Sequence, residues 1–217
     1  MGKKIKVEDR MTEEQKLISN ISDFASKNKK YFTIGAIALA AVLLIVLIAT
    51  AVSNSSSEKA LVKVATCEDM LNESDVNYDE IIADLEKEVK SSSYASVKAQ
   101  YLIGIANAKK DNFANAYDAF VKASKMNSKL YIAKLALMNA AVCKDNLGNT
   151  DEALDLYNQV VGMDSELGLG ARALFNIARI YYEKGNKDLA KATFESLIAD
   201  YPLSEYSNAA KNIVSLM

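Results

Sequence analysis

Few side chains in this chain could do chemistry. Histidine is absent from all 217 residues. That removes the commonest general base and transition-metal ligand, and it excludes Ser-His-Asp and Cys-His nucleophiles within the chain. The two cysteines, Cys67 and Cys143, stand far apart and form neither a CxxC pair nor a metal-ligand cluster. They read as buried or half-exposed thiols packing as small apolar residues. An exported location would permit a disulfide, but spacing alone does not bring the two within reach. An active site, if present, would have to rest on Asp, Glu or Lys. The adjacent acids Asp79-Glu80 and Asp151-Glu152 read instead as solvated charges at helix starts, where the helix dipole favours them. No cofactor is implied, and a net charge of −2 gives no bulk attraction to nucleic acid. The expectation is a protein that is not an enzyme.

The elements that position these residues are helices. The chain has one proline and eight glycines, and half of it is hydrophobic. From Tyr31 to Val52 no residue is charged. As a helix this segment would span ~33 Å, close to the ~30 Å hydrocarbon core of a bilayer. Residues 1–30 carry eight Lys/Arg against five Asp/Glu, with Lys27, Lys29 and Lys30 directly before the apolar run. The positive-inside rule then puts the N-terminus in the cytoplasm and the bulk of the chain across the membrane. A cleaved signal peptide is the rival reading, with Ala49-Thr50-Ala51 as a small-residue cleavage site. The apolar run exceeds the usual roughly 7–15-residue core of such peptides and its charged tail is long, which favours an uncleaved signal anchor.

In the tail, residues 1–30, Thr12 and Gln15 fit a capping box ahead of Leu17, Ile18, Ile21 and Phe24 at helical spacing. A short amphipathic helix could lie on the membrane surface or dock a partner helix; a solvated tail is the alternative. Residues 53–57, a Ser/Asn run, read as a polar linker after the anchor at 31–52.

The remainder, 58–217, repeats itself. Ala116, Ala153 and Ala190 are 37 residues apart, as are Phe120, Tyr157 and Phe194. Asp111, Gly148 and Gly185 keep the same step, and so do the small residues Gly104, Ala141 and Ala178. A small residue on one helix lets a second approach closely; that helix supplies alanine at the crossing and an aromatic one turn on. Gly148 and Gly185 suit a tight helix end needing a positive backbone dihedral. One such pair cannot bury its apolar face alone, so stacking is required. The expected units are a degenerate pair at 58–93 (helices 58–72 and 78–92), repeats at 94–130, 131–167 and 168–203, and a capping helix at 204–217 with Tyr206, Ala209, Ile213 and Leu216 on one side.

These residues resemble the tetratricopeptide repeat, most closely in the third copy with Ala178, Tyr181, Gly185, Ala190, Phe194 and Pro202. The resemblance implies an α-solenoid of helical hairpins, which with the single N-terminal transmembrane helix read at 31–52 makes the expected fold all-α. It also implies binding of protein segments along the face lined by the first helix of each pair. Repeat register puts Lys98, Tyr101 and Ile105 there from the first repeat, Met138 and Val142 from the second, and Arg172, Phe175, Arg179 and Tyr182 from the third. Such a groove would be apolar and aromatic with basic flanks, suited to varied side chains; the alternative is that Tyr101, Met138 and Phe175 are simply core, since spacing alone does not fix contact direction. Tyr101 and Ile105 stand where chaperone-type relatives carry a Lys and Asn clamp, so acidic C-terminal tails are not the expected ligand.

The whole layout is similar to the YfgM-type family of ancillary Sec translocon subunits. That likeness implies a single-pass protein of the inner membrane, with its repeats in the periplasm. It would be a membrane-anchored adaptor for protein partners or exported clients, near the translocon, periplasmic chaperones or envelope assembly. A structural homo-oligomer formed by anchor and repeats is the alternative. Gly35 to Ala41 offers small residues for helix packing but no GxxxG motif.

Overall fold

The computed structural model describes residues 12–163 and 168–217, except the side chains of 25, 26, 31–34, 36, 37, 49 and 51–55. All regular structure among them is helical. The chain divides into two compact units, Met1–Ser56 and Ser57–Met217.

In the first unit, α1 (Glu13–Lys27) begins at Thr12. The Gln15 amide donates to Thr12 Oγ1 at 3.4 Å, and the Thr12 amide donates to Gln15 Oε1 at 3.0 Å, closing the capping box. Leu17, Ile18, Ile21 and Phe24 are all exposed. Helix α2 (Lys29–Met70) follows after Asn28. Among the described residues no helix is long and apolar enough to cross a membrane. Much of the expected span at 31–52, like residues 1–11 of the tail, lies outside the described side chains. The run 53–57, read from sequence as a polar linker, is helical within α2. No glycine or proline falls between Gly35 and Met70, and serine costs a helix interior only ~0.5 kcal/mol relative to alanine.

The second unit holds the end of α2 and eight further helices among the described residues. Helix α3 (Tyr78–Glu86) stops short of the predicted residue 92. A serine of the next helix takes over the backbone there, because serine hydroxyls compete for backbone partners: the Lys90 amide donates to Ser96 Oγ at 3.3 Å. Ser96 Oγ donates to the Glu88 carbonyl at 2.7 Å, and Ser93 caps the next helix. Hairpins then follow as α4 (Tyr94–Lys109) with α5 (Phe113–Met126), α6 (Tyr131–Asn146) with α7 (Thr150–Met163), and α8 (Leu169–Glu183) with α9 (Lys187–Asp200). Helix α10 (Glu205–Val214) follows α9. The end of the second expected repeat, 164–167, lies outside the described residues.

Each hairpin turns the same way. Asp111, Gly148 and Gly185 have φ of 58°, 74° and 80°. The following amides of Asn112, Asn149 and Asn186 donate back to the carbonyls of Asn107, Lys144 and Tyr181 at 2.8–2.9 Å. This is a left-handed helix stop, which glycine adopts without steric cost.

Four of the five apolar clusters among the described residues run along the array, and the fifth, Val97 with Ile132 and Ala133, joins α4 to α6. One joins α2, α3 and α4, and the next joins α4, α5 and α6. A third joins α6, α7 and α8, and a fourth joins α8, α9 and α10. Each helix pair thus completes its core with the first helix of the next pair, as a solenoid requires. Ala116, Ala153 and Ala190 are fully buried beside Phe120, Tyr157 and Phe194.

Tyr157 differs from its two counterparts by a hydroxyl. That oxygen is buried and has no hydrogen-bond partner among the described residues. Burial, followed by the nearby Asp145 carboxylate, pushes its pKa up. An unsatisfied buried hydroxyl costs ~1–3 kcal/mol. Tyr157→Phe should therefore raise stability by about 1 kcal/mol, read as a higher denaturant midpoint; a loss would show that the hydroxyl has a partner.

Cys67 and Cys143 are free, buried, and in different clusters. Burial pushes the Cys143 thiol up to about 11 and, with Asp84 and Glu88 near it, raises Cys67. At about pH 8 neither thiol should react with a thiol-specific reagent until the chain is unfolded. Unfolding returns Cys143 to its ordinary value near 9, so stability should fall as the pH climbs from about 9 toward 11. Rapid labelling of the native chain would contradict both expectations.

Candidate functional site

The first helices α4, α6 and α8 carry all nine residues that register assigned to a groove. The structure places them unequally. Tyr101 is half-buried, with its ring 5.5 Å from that of Phe120 and its hydroxyl accepting from Asn139 Nδ2 at 3.1 Å. Its pKa is raised by burial against the opposing Asn139 hydrogen bond. Phe175 is also half-buried, with ring centroids 5.5 Å from Phe194 and 5.6 Å from Tyr206. Ile105 and Val142 are half-buried against the apolar clusters. Both aromatics therefore pack between their own hairpin and the next first helix while keeping one edge in solvent.

Met138, one repeat on from Tyr101, is a correction. It is fully buried among Tyr157, Leu169 and Ile177 and presents no surface to a ligand. Its unbranched chain follows the gap that a rigid ring cannot enter.

The expected basic flanks are also corrected. Lys98 pairs with Glu68 at 2.5 Å. Arg179 pairs with Asp145 and grips both oxygens of Glu183 at 2.8 and 2.9 Å. Arg172 is half-buried and makes no ion pair among the described residues. The face is thus nearly neutral. The acids Asp79-Glu80 and Asp151-Glu152 sit in the first turns of α3 and α7, with Asp79, Asp151 and Glu152 paired to Lys110, Lys184 and Lys144. Among the described residues no group of three His, Cys, Asp or Glu side chains could hold a metal ion.

Three of the nine meet in one place. Phe175, Arg179 and Tyr182 line an apolar cavity of about 430 Å³, together with Phe194, Ile213, Leu216 and Met217. Helix α8 gives one wall, the end of α10 and the residues after it give the other, and the Phe194 ring of α9 reaches it from the neighbouring helix. Tyr182 and Leu216 are 48% and 88% exposed, so their apolar surface is open to a partner. The sequence reading placed Leu216 on one side of the cap and did not name it as a lining residue. Its register gives it away, because it stands 37 residues after Arg179. Helix α10 thus serves as one more first helix.

Arg179 is already satisfied by two carboxylates. The cavity therefore suits an apolar or aromatic side chain better than a free carboxylate. Asn139 and Asn176, half-buried on the same helices, offer amide groups for a peptide backbone, although their Nδ2 atoms are engaged by Tyr101 and the Arg172 carbonyl.

Comparison with known proteins agrees with this architecture. The family model of the tetratricopeptide repeat matches residues 135–162 and 172–204. A TPR repeat-containing protein of Treponema pallidum (strain Nichols) is 28% identical over 137 residues, which is 62% of this chain and 57% of that protein. The chain thus matches little more than half the length of this relative. Two crystal structures of a Podosopora anserina protein described as a kinesin light chain with nearly identical TPR-like repeats superpose with a TM-score of 0.51. They are 17% and 16% identical, and each superposition covers 74% of this chain and 82% of the other. The chain carries tetratricopeptide repeats in an all-helical solenoid.

Proposed function

We propose that this protein is a membrane-anchored adaptor that captures a segment of a partner protein on the first-helix face of its repeats. The observation that carries the reading is the apolar cavity of about 430 Å³ between α8 and the end of α10, rimmed by exposed Tyr182 and Leu216. Concave apolar sites with a few polar groups at the rim are where ligands bind. Tetratricopeptide repeats serve as protein-binding scaffolds, and a rigid aromatic beside Leu and Met side chains suits an apolar anchor residue.

The chain acts by holding, without catalysis. Residues 31–52, free of charge, anchor it. The excess of Lys and Arg before them keeps the N-terminus in the cytoplasm and carries the repeats to the far side. Anchoring raises effective concentration at the membrane, so modest affinity suffices. The resemblance of the expected layout to the YfgM-type family is the reason to seek the partner among translocation, chaperone and envelope-assembly components.

Selection of displayed peptides against the 217-residue chain in detergent tests the binding mode. The reading expects enriched peptides to share one large apolar or aromatic residue and to lose binding when that residue becomes alanine. Enrichment of peptides sharing only acidic residues would overturn it.

A further inference from the structure

A second cavity, of about 420 Å³, lies on other helices and has a different character. It is a trough floored by α4 and walled by α3 and α5. Its floor holds Gln100 and Asn107, which are only 4% and 8% exposed. Gln100 makes no side-chain hydrogen bond among the described residues. Asn107 Nδ2 donates to the Ile103 carbonyl at 2.9 Å, which fixes its amide and leaves Oδ1 without a donor. The Gln100 amide and Asn107 Oδ1 are not sealed off; they open onto the trough floor, where a ligand can supply the partners that the protein does not.

The walls indicate its charge. Asp79 is paired with Lys110 at one end. Glu86 of α3 and Asp118 of α5 face the trough without an ion-pair partner among the described residues, against one unpaired cation, Lys122. The balance of free groups is acidic and rich in acceptors.

We propose that this trough binds an arginine side chain of a partner protein. A guanidinium has five donors in a planar fork, which can reach a floor amide and a wall carboxylate together; an ammonium is a compact point charge. The arginine stem would lie along Ile82 and Ile103, which line the same trough. An anionic ligand would meet Glu86 and Asp118, and a purely apolar one would leave Gln100 unmet. This site is independent of the cavity between α8 and α10, so its failure leaves that reading standing.

The test is titration of the isotopically labelled 217-residue chain in detergent micelles with argininamide, following side-chain amide resonances. The neutral citrulline amide, of the same shape, is the control. Saturable shifts at Gln100 and Asn107 are expected with argininamide, with binding at least about tenfold weaker for the citrulline compound. Glu86→Gln with Asp118→Asn changes only exposed positions, and should weaken argininamide by about tenfold. An equal response to the two compounds would overturn the proposal. So would shifts confined to other surface residues, or a double variant that binds as well as the parent.

Discussion

Tyr182→Ala should weaken capture of a selected peptide about thirtyfold, roughly 2 kcal/mol, and leave the denaturant midpoint unchanged. The ring is 48% exposed, stands at the rim of the α8–α10 cavity, and makes no ring contact or side-chain hydrogen bond among the described residues. Its removal therefore takes nothing from the folded core. Phe175→Ala is a different experiment. That ring touches Phe194 and Tyr206, so its loss should lower stability as well as binding, by about 2 kcal/mol or more. The same holds for Tyr101 beside Phe120. Residues that lined a groove and nothing else could be removed without harm to the fold, and the packing of both rings argues against that. Unchanged peptide affinity in Tyr182→Ala would mean that the cavity is not the capture site.

Gly104→Val should cost about 3 kcal/mol or more of stability. A Cβ at Gly104 would lie 2.6 Å from both Cδ1 and Cε1 of Phe120, well inside any real contact. The Phe120 ring is 1% exposed and held by Tyr101, so it has little room to retreat. Overpacking of this kind costs ~1–3 kcal/mol for a small addition. Removing a helical glycine returns only ~1 kcal/mol. The steric effect should win even for Gly104→Ala, and the branched valine adds to it. Phe120→Leu in the Gly104→Val background should recover part of the loss, a coupling of about 1 kcal/mol in a double-mutant cycle. A Gly104→Val chain as stable as the parent would show that the α4–α5 crossing relaxes freely.

The residues that show the repeat most plainly in sequence are those that set the hairpin geometry. The small residues at 104, 141 and 178, the alanines at 116, 153 and 190, and the aromatics four positions on are all buried at helix crossings. Starts of second helices at Phe113, Thr150 and Lys187 keep the 37-residue step. Such positions are legible because each answers to one steric demand repeated three times.

The site was less legible because its residues answer to neighbours that differ between copies. Tyr101, Met138 and Phe175 share one register, yet only the two rings keep an edge in solvent. The charge of the face depended on carboxylates nearly one repeat away, as with Arg179 and Asp145, 34 residues apart. The helical run through 53–57 and the early stop of α3 turn on what serine does in context. It is tolerated where no glycine or proline breaks the helix, and it ends one where hydroxyls can cap the next.

The most direct test of partner capture is photo-crosslinking in intact cells, with the probe at Tyr182 or Leu216 and, as controls, at Lys191 or Glu195. The controls are exposed positions on α9 that do not line the cavity. The account predicts discrete adducts to another protein from Tyr182 and Leu216, suppressed by a selected peptide, and none of these from the controls. Equal adducts from all four positions, or adducts only to other copies of this chain, would contradict it.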